Sequence, residues 1–103
     1  VVALELQSYD ITTNGSKVYM TVVLRNTGTE DLTITNITLV QKTAKASVAL
    51  SEVIKAGGSA AISRTLTPTG TFEGGEATLI VYATDPAGRT QSFTFSVLIE
   101  KTS

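Results

Sequence analysis

The stretch VVLRNTGTEDLTITNITLVQ, residues 22–41, decides the fold of this chain. Two runs rich in β-branched residues flank a polar bend, and in both runs apolar residues recur at every second position, the period of a strand with one buried face. The first run starts at Lys17, with Val18, Met20, Val22 and Leu24 on one side and Lys17, Tyr19, Thr21, Val23 and Arg25 on the other. The first set reads as core. In the bend, Asn26 to Asp31, asparagine and glycine tolerate positive φ, while threonine and aspartate bond the nearby backbone. The second run begins with Leu32 and Ile34 on one face and switches to Ile37 and Leu39 on the other. A phase change of that kind marks a β-bulge near Thr35 and Asn36, or a strand crossing between sheets.

The same period extends outward in both directions. A strand is expected from Val2 to Tyr9, followed by Asn14-Gly15, a strong hairpin-turn signal. Downstream, KTAKAS (42–47) reads as a loop or weak edge, with a short strand near Val48 to Ile54 and a glycine turn, KAGGS (55–59). Further strands are expected at Ala60 to Leu66, Ala77 to Thr84 and Gln91 to Glu100, the last with Phe93, Phe95, Val97 and Ile99 on one face. The segment TPTGTFEGGE (67–76) reads as irregular, and DPAGR (85–89) as a turn. About seven short strands with frequent turns predict an all-β fold, an immunoglobulin-like antiparallel β-sandwich of two sheets, forming a single domain over residues 1–103.

Composition narrows the function. Eight basic and nine acidic residues are scattered along the chain, so no basic stripe offers a track for phosphates and nucleic acid is not an expected partner. The absence of cysteine and histidine removes thiol chemistry, thiolate metal sites and the commonest general base. Eighteen threonines and nine serines supply most of the polarity, which suits a pleated, half-exposed surface. The mean hydropathy of +0.20 fits either a covered partner surface or simply alanine- and valine-rich strands.

Carboxylates are the remaining source of catalytic chemistry, and they stand close in sequence only as Glu30 with Asp31 and Glu73 with Glu76. Either pair could sit in a weak calcium site or simply be solvated in a turn, and the second could also serve a glycosidase-like mechanism, although no aromatic sugar platform accompanies it. No catalytic, metal or cofactor site is expected, and the chain reads as non-enzymatic. Asn14-Gly15-Ser16 and Asn36-Ile37-Thr38 are N-glycosylation sequons; Asn14 is equally explained by its turn. The most informative positions are apolar residues opposite the core. If the second and sixth strands are neighbours, Tyr19, Val23, Ile80 and Tyr82 form one outward patch suited to a protein partner, unless the loop 67–76 covers part of it.

VYMTVVLRNTGTEDLTITNITL (18–39), IKAGGSAAI (54–62) and YATDPAGRTQSFTF (82–95) together resemble a pattern of archaeal surface proteins. The pattern occurs in the globular parts of archaellins (archaeal flagellins), type IV pilin-like proteins and adhesive accessory modules. Within that class the chain is similar to the soluble domains of the archaellum stator proteins FlaF and FlaG. That resemblance implies a membrane helix upstream of residue 1 and a location between the cell membrane and the S-layer. It also implies a structural role: anchoring a rotary motor through contacts with an S-layer protein, another stator subunit or a second copy. The alternatives it leaves open are the head of a pilin or archaellin filament subunit and an adhesive, carbohydrate-associated module.

Overall fold

A computed structural model describes residues 1–102. All regular structure is strand: β1 (Leu4–Thr13), β2 (Val18–Asn26), β3 (Leu32–Gln41), β4 (Ala44–Ile54), β5 (Ser59–Leu66), β6 (Gly75–Thr84) and β7 (Thr90–Lys101). They join in the order β4-β3-β6-β7-β1-β2-β5, and the two end strands β4 and β5 return into contact, so the sheet is nearly closed into a barrel. Every pairing is antiparallel except the link between β1 and β7, a parallel contact limited to Thr12↔Glu100 and Thr13↔Lys101.

Alternation explains the core. Val18, Met20, Val22 and Leu24 of β2 are all buried, as are Leu79, Val81 and Ala83 of β6. The phase change in β3 is a bulge: register with both β4 and β6 shifts between Ile34 and Asn36. The extra residue turns Ile37 and Leu39 back onto the buried side, so Leu32, Ile34, Ile37 and Leu39 all pack inward despite their broken period. A second bulge interrupts the pairing of β1 with β2 between Leu6 and Ser8.

Two segments differ from the sequence reading. KTAKAS is not a loop. Lys42 and Thr43 alone make the turn, with Lys42 at φ 54, and Ala44 and Ala46 are buried as β4 pairs with β3. Small side chains disguise this strand, because alanine carries little strand propensity of its own and packing decides its place. The irregular segment 67–76 supplies Phe72, which is fully buried and among the largest core side chains. Truncating a ring so placed costs roughly 3–5 kcal/mol.

The bend after β2 works differently from a positive-φ turn. Neither Asn26 nor Gly28 is left-handed; the positive-φ glycines are Gly15, Gly57, Gly70, Gly75 and Gly88. Asn26 is instead fully buried. Its Nδ2 donates to the carbonyls of Glu30 (2.7 Å) and Ile54 (2.9 Å), and its Oδ1 accepts from Gly28 N–H (3.0 Å). Its backbone N–H donates to Gly58 O, and its carbonyl accepts from Gly57 N–H. One side chain thus ties the β2–β3 bend to the β4–β5 turn. Gly28 is small for a steric reason: a Cβ there would lie 2.8 Å from Ala3 N and closer still to Val1 O. The first residues lie across it, with Thr29 N–H donating to Val1 O and Thr27 N–H to Ala3 O.

Candidate interaction surfaces

The outer side of β4, β3, β6 and β7 is built from cross-strand rungs. The register places Val53, Thr33, Thr84 and Thr90 in one rung, Ala49, Asn36, Tyr82 and Ser92 in the next, and Ser47, Thr38, Ile80 and Thr94 in a third. None of these twelve residues is charged. Hydroxyls hold the surface in place: Thr38 Oγ1 donates to Asn36 Oδ1 at 2.7 Å and lies 2.9 Å from Ser47 Oγ. Ile80 and Tyr82 stand half-buried at the middle of this face, flanked by β3 and β7, and Val53 is 56% exposed at its margin.

The opposite side, formed by β1, β2 and β5, has a different character. Its rungs place Glu5 beside Arg25 and Ser59, Ser8 beside Val23 and Ala61, Asp10 beside Thr21 and Ser63, and Thr12 beside Tyr19 and Thr65. Charge and apolar surface alternate, and a charge in every second rung discourages packing against another apolar face.

The four residues expected to make one patch therefore do not meet. β2 and β6 are separated by β7 and β1 in the strand order, so Tyr19 and Val23 lie on one side of the molecule and Ile80 and Tyr82 on the other. The assumption of neighbouring strands fails because β2 pairs with β1 and β5, while β6 pairs with β3 and β7. The end of the segment 67–76 is held by Gln41, with Nε2 donating to the carbonyls of Glu73 and Glu76 and Oε1 accepting from Glu73 N–H.

A third surface is the seam between β1 and β7. No strand pairs with β7 on its β1 side before Glu100, and the gap is bridged by a side chain: the Tyr9 hydroxyl accepts from Leu98 N–H at 3.0 Å. Phe93 and Phe95, expected as full core residues, are only partly buried beside this opening, whereas Val97 and Ile99 further along are buried. The bridging role of Tyr9 had no signal in the sequence, since it depends on how far two distant strands diverge.

One carboxylate of each acidic pair has a structural task. Asp31 Oδ1 accepts from Ala56 N–H at 3.0 Å, capping the β4–β5 turn. Glu73 pairs with Lys101 Nζ at 2.8 Å, and hydrogen bonding and charge from Lys101 hold its carboxyl below the ordinary range, with Lys42 adding to the effect. A glycosidase acid needs the opposite shift. An open concavity of about 600 Å³ lies beside Glu73, lined by Gln41, Lys42, Glu76 and Thr78 among others. Among the described residues no three acidic side chains gather as a metal would require.

Among the described residues Asp85 is the one buried carboxylate. Its oxygens accept from the backbone N–H groups of Ala87 and Arg89 and from Arg89 Nε at 3.0 Å, closing the β6–β7 turn. The backbone bond from Arg89 lowers its pKa most; burial opposes this, and the Arg89 side chain adds to the lowering. The asparagines of the two sequons also separate: Asn14 is exposed in the β1–β2 turn, whereas Asn36 lies within the uncharged rungs. Comparison with known protein families and with curated proteins finds no match for this chain.

Proposed function

We propose that the chain is a non-enzymatic interaction domain of an archaeal surface motility apparatus, most like an archaellum stator protein, and that it binds through the outer face of β3, β6 and β7. The observation that carries this reading is the run of three consecutive rungs without a charge, centred on Ile80 and Tyr82. Centres of protein interfaces are depleted in charge and enriched in aromatic residues. The stator assignment is supported by the likeness of residues 18–39, 54–62 and 82–95 to archaeal surface domains.

The immunoglobulin-like, two-sheet architecture belongs to this proposal. It is supported by the division of the strand order into β5-β2-β1 and β4-β3-β6-β7, whose strand pairing with each other is confined to the short parallel contact of β1 with β7. In this reading the domain lies between membrane and S-layer, is attached through an upstream helix, and meets an S-layer protein, a second stator subunit or another copy.

The test is cosedimentation of the purified domain with S-layer sheets from the source cells. Wild type and Tyr19→Lys, which alters the charged side, should sediment with the sheets; folded Ile80→Lys should remain in solution. Equal sedimentation of Ile80→Lys and wild type removes this face from the proposal. Quantitative mass spectrometry of detached filaments and residual envelope then separates anchor from filament subunit: dominance in the filaments supports a pilin or archaellin head instead.

A further inference from the structure

We propose that Asn14 is an N-glycosylation acceptor whose first sugar rests on the exposed ring of Tyr19, and that Asn36 is left unmodified. This rests on the extracytoplasmic location proposed above. Both asparagines stand in sequons, and in both the hydroxyl of the third residue donates to the asparagine's own Oδ1: Ser16 Oγ to Asn14 at 3.1 Å, Thr38 Oγ1 to Asn36 at 2.7 Å. Their surroundings differ.

Asn14 is exposed at the tip of the β1–β2 turn. Its Oδ1 is committed to the turn, accepting from Ser16 N–H (3.0 Å) and Lys17 N–H (2.9 Å) as well as from the Ser16 hydroxyl. Its Nδ2, the atom a glycan would occupy, has only a long bond to the Tyr19 hydroxyl at 3.3 Å. Glycosylation leaves one hydrogen on that nitrogen, so the turn and even the Tyr19 contact survive the modification. Transfer from a lipid-linked oligosaccharide forms the bond from Nδ2 to the anomeric carbon and breaks the bond from that carbon to phosphate. The lipid phosphate leaves with the electron pair, and the displaced amide proton passes to the transferase or to water.

Tyr19 is 42% exposed and lies between Thr12 and Thr65 on the outer face. Beside it runs a shallow groove of about 230 Å³, lined by Thr21, Ser63, Arg64 and Thr65. An apolar ring face next to hydroxyl and guanidinium donors suits a pyranose, which presents C–H groups on one side and hydroxyls at its rim.

Asn36 sits inside the sheet, opposite both Ala49 and Tyr82, and the Thr38 of its sequon is buried, 5% exposed, with its hydroxyl 2.9 Å from Ser47 Oγ. A transferase meeting the folded domain cannot reach that hydroxyl, and a glycan on Asn36 would spread over the uncharged face. Bulky, hydrated modifications are compatible with a turn tip and not with a buried interface.

The sequons fall in different tryptic peptides, one ending at Lys17 and the other spanning 26–42, so mass spectrometry of the protein from its own cells reads them separately. The expected result is a glycan mass on the Asn14 peptide and the unmodified mass for the Asn36 peptide. A bare Asn14 peptide, or a glycan on Asn36, overturns the proposal. Surface labelling of intact cells in the same preparation distinguishes the causes. A labelled domain with bare Asn14 refutes the glycan alone, and an unlabelled one refutes the location as well. Tyr19 is tested with Ser16→Ala, which abolishes the sequon but keeps Asn14: the glycan should raise the melting temperature in the Tyr19 background and not in Tyr19→Ala. Equal increments in both backgrounds refute the stacking role.

Discussion

Replacing Asn26 by alanine isolates what holds the corner of this domain together. The side chain is fully buried and makes three hydrogen bonds, two donated to Glu30 O and Ile54 O and one accepted from Gly28 N–H. A net value near 1 kcal/mol for each, with the added cost of leaving buried backbone groups unpaired, gives a loss of about 3–4 kcal/mol. Against a total stability of about 5–15 kcal/mol this is a large fraction, and it corresponds to a fall in melting temperature of roughly 12–32 °C. Urea unfolding followed by circular dichroism should show a lower midpoint at an unchanged slope. Asn26→Asp is more damaging than alanine near neutral pH, because it keeps the acceptor for Gly28 but turns an anionic oxygen toward two carbonyls. A loss below about 1 kcal/mol for alanine, or an aspartate variant as stable as wild type, would refute the account of Asn26 as the tie between the two turns.

Other substitutions probe separate features. Gly28→Ala should lose about 1–3 kcal/mol, through displacement of the residues that bond Thr27 and Thr29, partly offset by the smaller entropy of the unfolded chain; retained amide protection at Thr29 would contradict the steric reading. Asp85 has a folded pKa below its ordinary 3.8, so its contribution is present above that value and is lost as pH falls through the lower folded one. The stability gap between wild type and Asp85→Asn should therefore close as the pH is lowered from about 5 to 2, and a widening gap would reverse the assignment. Gln41→Ala should leave the sheet intact while exposing the segment 71–76 to a glutamate-specific protease, read as faster cleavage under native conditions.

The strands were legible because their chemistry is local. β2 and β3 stand where alternation placed them, and the bulge at Thr35 and Asn36 could be read from four apolar residues falling out of phase. β1 runs on to Thr13, past the expected end at Tyr9, because it stays paired with β2 as far as Thr13↔Val18 and its end is also bonded by Thr102 N–H. β4 was half hidden because Ala44 and Ala46 gain their burial from neighbours rather than from their own hydrophobicity. The candidate surface was legible residue by residue but not as an assembly. Facing outward is a property of one strand, which period two reveals, whereas sharing a face depends on strand order, about which alternation is silent. Asn26 and Phe72 escaped for a related reason: a polar residue at a strand end and a lone aromatic in a glycine-rich segment look like surface until distant backbone closes over them.

The residues laid across Gly28 also govern how the domain would carry load. β1 lies along β2 through nine register pairs and meets β7 in parallel at its far end, so a pull entering at Val1 and resisted at the β3–β6–β7 face runs along the strands. The ladder bonds lie across that direction and are loaded in shear, together rather than one after another. The short contact of Val1 to Ala3 with the bend is the exception, being free to peel first and to release about 10 Å of chain before the sheet is engaged. The arrangement is a soft leader in series with a stiff strand, yielding to small displacements and resisting large ones.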